Sequence, residues 1–137
     1  MSRTAIEKTL SSNDTGETGS HQAGLCVPKE PEVLAFFPEL DPTIKNPRAP
    51  LDVIDETGRE WTFSFIYYNN RFYGGTRNEY RLTCMTPFFR EFNLKAGDTI
   101  LLRRESPRLL RITYRRAVLV SKVIHLSSTW KIIEADL

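Results

Sequence analysis

Arg77, Glu79 and Arg81 alternate with Asn78 and Tyr80 just after the diglycine Gly74-Gly75, and side chains of these types at this spacing can read nucleic-acid bases. Successive side chains of an extended strand point to opposite faces, so Arg77, Glu79, Arg81 and Thr83 share one side while Tyr80, Leu82 and Cys84 share the other. Two guanidinium forks with a carboxylate between them suit the edges of guanine and cytosine in a DNA major groove. The same pattern also suits a surface strand with a solvated charge ladder, in which Arg–Glu pairs contribute little.

Short strands and two small helices must position that segment. Leu25-Cys26-Val27 reads as a strand ending at Pro28. Pro31 to Phe37 reads as a brief helix stopped by Pro38, with Val33, Leu34, Phe36 and Phe37 supplying core. Pro42, Pro47 and Pro50 punctuate a loop over 38–50. Residues 51–55 and 61–68 then alternate around Thr57-Gly58 as a hairpin does. Further strands are expected over 79–84, 99–104, 109–115, 117–124 and 129–134. A second helix fits Pro87 to Phe92, with Thr86 as its cap. Many short strands with few helices predict a small barrel or sandwich.

The chain has 137 residues and 40% hydrophobic content, enough for one core and too little for two domains. Residues 1–10 read as a flexible leader and 11–137 as a single domain. The formal net charge of +2 hides an asymmetry: residues 1–60 hold 6 Lys/Arg against 11 Asp/Glu, and residues 61–137 hold 13 against 6. That separation points to a polyanionic partner, or to a solvated basic face. No apolar run is long enough to span a membrane and no signal-peptide pattern opens the chain, so no membrane partner and a cytoplasmic location are expected. Cys26 and Cys84 lie in apolar strand-like segments and read as reduced core thiols, and with only two histidines no metal site is expected. The polar tract Ser11 to Gln22 reads, on composition, as disordered.

Two strings carry a resemblance that changes the reading of that tract. SSNDTGETGSHQAG followed by an apolar strand, and later YGGTRNEYRLT, resemble the two DNA-contacting arms of the N-terminal domain of EcoRII-type restriction endonucleases. VPKEPEVLAFFP, Gly58 to Trp61 and FFREFNLKAGDTILL also resemble plant B-three DNA-binding domains, which share a seven-stranded open pseudobarrel with that restriction domain. The resemblance covers roughly residues 10–105. It implies a mainly β pseudobarrel with two short helices that grips the major groove from both sides and reads a short double-stranded DNA site without cutting it. It further implies a five-base-pair site with a central A·T pair, a nuclease domain elsewhere in a full-length prokaryotic restriction enzyme, and no cofactor.

Carried over by position, the first arm supplies Ser12, Asn13, Asp14, Thr15, Gly16, Thr18, Gly19, His21 and Gln22. The second supplies Thr76, Arg77, Asn78, Glu79, Arg81 and Thr83. Arg is suited to guanine, Asn or Gln to adenine and carboxylates to cytosine, while Ser, Thr and backbone N–H groups can hold phosphates. Gly75, Tyr80 and Cys84 replace basic residues of the family's second arm, so Arg71, Arg90, Arg103 or Arg104 would have to supply any missing contact. An enzyme reading lacks its residues: restriction-type nucleases use a Glu-x-Lys carboxylate site for a divalent metal, and no Asp or Glu here has Lys two positions on. A non-catalytic target-recognition or effector domain is therefore expected. A stand-alone transcription-factor-like DNA binder and a barrel mediating only protein contacts are the alternatives.

Overall fold

The computed structural model describes residues 3–16, 24–117 and 130–135. Its strands are β1 (Arg3–Thr9), β2 (Leu25–Val27), β3 (Arg48–Ile54), β4 (Glu60–Tyr68), β5 (Glu79–Thr83), β6 (Thr99–Ser106), β7 (Leu109–Arg115) and β8 (Lys131–Ala135). Three short helices, α1 (Ser12–Thr15), α2 (Pro31–Leu34) and α3 (Thr86–Glu91), connect them. One sheet holds all eight strands in the order β2-β5-β4-β3-β7-β6-β1-β8. Neighbours are antiparallel except β3 and β7, which meet in parallel at Ile54 and Arg111 alone.

The β3–β4 hairpin forms where the alternation places it, with Leu51 opposite Phe63 and Val53 opposite Trp61. Asp55 fixes its turn: one carboxylate oxygen accepts from the Thr57 and Arg59 amides at 2.7 and 3.1 Å, and the other accepts from the Trp61 indole at 2.8 Å. Gly58 takes the left-handed conformation that the turn needs, at φ +87°. Pro50 lies within β3 rather than in the predicted loop. It is tolerated there because, among the described residues, that stretch of β3 pairs with β4 alone.

The core collects one face of the sheet and the helices: Leu25, Val33, Phe63, Phe65, Leu82, Phe88, Ile100, Leu102 and Ile112 are all buried. Phe37, Phe65, Tyr80 and Tyr67 stack in sequence with ring centroids 4.7, 5.5 and 4.3 Å apart, a geometry that adds to their area burial.

Several expectations are corrected. The sheet has eight strands, not seven, and three α-helices stand where two were expected. Residues 3–9 are no leader: β1 pairs β6 on one side and β8 on the other, with Ile6 fully buried. Its apolar positions are interrupted by Glu7 and Lys8, which hides the strand from composition. Thr86 begins α3 instead of capping it, and Met85 occupies the cap. Residues 118–124 of the predicted 117–124 strand lie outside the described residues. Among the described residues no helix is long and apolar enough to cross a membrane.

Candidate nucleic-acid interface

The outward face of β5 is the floor of the candidate site, and parity decides what stands on it. Tyr80 and Leu82 point to the core. Glu79, Arg81 and Thr83 share the opposite face with their cross-strand partners Tyr68, Ile66 and Ser64 on β4 and Cys26 on β2. Arg77 precedes the strand and reaches the same face, where its Nε donates to Glu79 at 3.1 Å and its Nη2 meets the same oxygen. The Arg77 guanidinium also stacks on Tyr68. The Glu79 hydrogen bonds outweigh burial and push the Arg77 pKa up, keeping the fork charged.

The second arm is a tight loop leading into that strand. A single 3-10 turn, Asn70–Tyr73, ends at Gly74 with φ +91°. Gly75 then passes so close to Asn70 that a Cβ would stand 2.8 Å from the Asn70 Cβ, so only glycine fits. Thr76 and Arg77 are exposed, and Asn78 accepts from the Tyr67 hydroxyl at 2.5 Å.

The first arm has two described feet. Ser11 and Asp14 form a capping box around α1: the Ser11 hydroxyl accepts from the Asp14 amide at 3.1 Å, and the Asp14 carboxylate accepts from the Ser11 amide at 2.9 Å. Lys8 of β1, 1% exposed, donates to the same carboxylate at 3.0 Å. The far foot is Gly24, whose amide donates to the Asp14 carbonyl at 3.1 Å. The Gly24 carbonyl in turn accepts from Arg81 Nη2 at 3.4 Å, which ties the first arm to the second arm's strand. A Cβ on Gly24 would lie 2.9 Å from the Leu82 carbonyl, so this junction also requires glycine.

Among the predicted site residues, Arg77, Glu79 and Arg81 share the floor, with Thr76 and Asn78 at its entry. Ser12, Asn13, Thr15 and Gly16 sit at the first foot, where Asn13 is exposed. Thr18, Gly19, His21 and Gln22 lie outside the described residues. Two residues depart from expectation. Asp14 is buried and committed to its cap and to Lys8, so its carboxylate is not presented to a groove. Thr83 is buried as well and donates to the Ser64 carbonyl at 3.2 Å. Neither cysteine is a core thiol: Cys26 is half-buried opposite Arg81, and Cys84 is exposed with φ +64°. Burial raises the Cys26 pKa, Glu79 raises it further, and Arg81 offsets part of the shift.

Sequence reasoning missed Tyr68, which the parity of β4 could have placed opposite Glu79, and Ile66, an outward residue that is nonetheless 4% exposed. Arg103 and Arg104, named as substitute contacts, stand on β6, where Arg104 donates to the Phe36 and Pro107 carbonyls.

The family model described as restriction endonuclease EcoRII, N-terminal, matches residues 2–98. A B3 domain-containing transcription repressor of Arabidopsis thaliana is 38% identical over 102 residues, 74% of this chain and 11% of that protein. The Type II restriction enzyme EcoRII of Escherichia coli is 43% identical over 84 residues, 56% of this chain and 19% of the enzyme. The chain thus spans less than a fifth of the length of these curated relatives. Among solved structures, the Arabidopsis FUS3–DNA complex shares the fold at a TM-score of 0.64 and 24% identity, over 82% of this chain and 96% of the other.

Proposed function

The chain belongs to the family of the restriction endonuclease EcoRII N-terminal domain, and from that premise we propose that it binds a short, specific site in double-stranded DNA through two arms and does not cut it. The spacing of the arms carries this reading. The second arm enters at Asn78, next to the first residue of β5, and the first arm leaves at Gly24, against Leu82 near its end. Five strand residues rise roughly 13 Å end to end, close to the width of about 12 Å of a B-DNA major groove. A base edge between the arms would therefore face Arg77, Glu79 and Arg81. Ser12, Asn13, Thr15, Gly16, Thr18, Gly19, His21 and Gln22 would line the other wall.

Two settings are open to such a module. The relatives covering most of the chain include plant transcription regulators, which supports a binder acting without a nuclease of its own. The shorter match to EcoRII supports an effector domain of a longer restriction enzyme. The length of the complete gene product separates the two. The binding itself is tested by selecting duplexes from a random pool with the purified chain: enrichment of one short motif is expected, and an unenriched pool would refute the reading.

A further inference from the structure

The outward face of the sheet extends past the arms onto β3, where it carries a cation that neither predicted arm contains. Arg48 pairs with Ile66, Ile66 with Arg81 and Arg81 with Cys26, so these four residues form one row across β3, β4, β5 and β2. Paired residues of antiparallel strands present their side chains on the same face, and Leu51 and Val53 are the buried positions of β3 while Arg48, Pro50 and Asp52 are exposed. Arg48 thus faces the side that Arg81 faces, two strands away, or roughly 10 Å at about 4.8 Å per strand.

The Arg48 guanidinium makes no ion pair or hydrogen bond with any described residue. Two acids on that face are occupied, Glu79 by Arg77 and Asp52 by the Thr62 hydroxyl at 2.7 Å. Buried Ile66 lies between Arg48 and Arg81 in the row, an apolar footing against which an arginine stem can lie with its head in water.

We propose that Arg48 is a phosphate contact on the flank of the recognition face, a deepening that rests on the DNA-binding reading above. Arg48 stands two strands off β5, roughly 10 Å from Arg81 and perpendicular to the arm-to-arm span, so its guanidinium lies past the bases that Arg81 addresses and reaches the sugar-phosphate backbone flanking them. Contacts of that kind set register and affinity and carry no sequence information.

The test compares wild type, Arg48→Gln and Arg48→Lys on the duplex enriched by wild type and on its scrambled counterpart, at several potassium chloride concentrations, with thermal melting as the check of folding. Arg48→Gln should weaken both duplexes by the same factor, leave their ratio unchanged, and flatten the slope of log affinity against log salt by about 0.9, one phosphate's worth. Arg48→Lys, which keeps the charge, should restore the slope. A wild-type slope and affinity in Arg48→Gln overturns the proposal. So does a changed cognate-to-scrambled ratio with the slope intact, which means a base contact. Failure of wild type to prefer any duplex refutes the parent reading and this proposal with it.

Discussion

The guanidinium carbon of Arg77 lies 3.7 Å from the centroid of the Tyr68 ring, so the fork is held between an aromatic face and the Glu79 carboxylate before any ligand arrives. Arginine stacks on aromatic planes through dispersion and charge–quadrupole attraction, and a fork held this way loses less freedom when it binds. Tyr68→Ala should weaken binding to the selected duplex by about 0.5–1 kcal/mol, whereas Tyr68→Phe keeps the ring and should bind nearly as wild type. Equal losses in the two variants would assign the effect to the hydroxyl.

Arg77→Ala and Arg81→Ala should each cost about 1–3 kcal/mol of specific binding, the worth of a bidentate base contact. The cognate-to-scrambled ratio is the informative readout, because a phosphate contact lowers both affinities together. A wild-type ratio in both variants would remove base reading from the β5 face, and wild-type affinities as well would leave it a charge ladder only.

Asp14→Ala should destabilise the protein by about 3–5 kcal/mol, because it removes the carboxylate that pairs with the charged, buried Lys8 ammonium. Replacing the pair with Lys8→Met and Asp14→Leu together should recover most of that loss, less about 0.5–2 kcal/mol for the missing cap. Urea unfolding of the single and double variants measures both, and a double variant no more stable than Asp14→Ala would remove the buried charge as the cause.

Acid should loosen the β3–β4 hairpin through Asp55. Burial alone pushes its carboxyl pKa up, but the hydrogen bonds from Thr57, Trp61 and Arg59 win and hold it below the usual carboxylate range. A lowered native pKa contributes stability that is present above the unfolded value of about 3.9 and is lost as pH falls from there through the native value. The urea midpoint should therefore drop between pH 5 and acid conditions around pH 3, and Asp55→Asn should flatten that drop.

The two thiols should react at different rates. Cys84 is exposed, whereas Cys26 is half-buried with its pKa raised by burial and by Glu79, and the thiolate is the reactive form. Iodoacetamide at pH 8 should modify Cys84 first, as read by peptide mass spectrometry over time. Faster labelling of Cys26 would contradict the burial seen here.

Strand parity made the second arm legible: the alternation from Glu79 to Leu82 assigns Arg81 outward and Leu82 inward from residue type alone. It placed Thr83 on the Arg81 face but not its burial against Ser64, and it failed at Cys84, which follows the end of β5 and takes a positive φ that breaks the period. Composition failed at Asp14, since a capping box of Ser and Asp looks like any polar tract until the buried lysine of β1 is set against it. Arg48 was hidden by the prolines around it, which read as loop although β3 has room for one of them. The first strand escaped because its neighbours are ninety or more positions away in the chain, and local pattern says nothing about such pairings.

That remote pairing sets an order of assembly. Among the described residues β1 pairs with β6 and β8, with Thr9 opposite Thr99 and Arg3 opposite Ala135, so closing these pairs bears a large loop-entropy cost that local hairpins avoid. On a ribosome the β3–β4 hairpin can form as soon as Tyr68 emerges, while Lys8 cannot be fixed beneath Asp14 until about thirty more residues have been made. The first arm's Asp14 foot is thus the last part of the grip to become rigid, and a nascent or truncated chain ending before Thr99 would carry its second arm and the Gly24 foot ready while the Asp14 foot lacks β6 behind it.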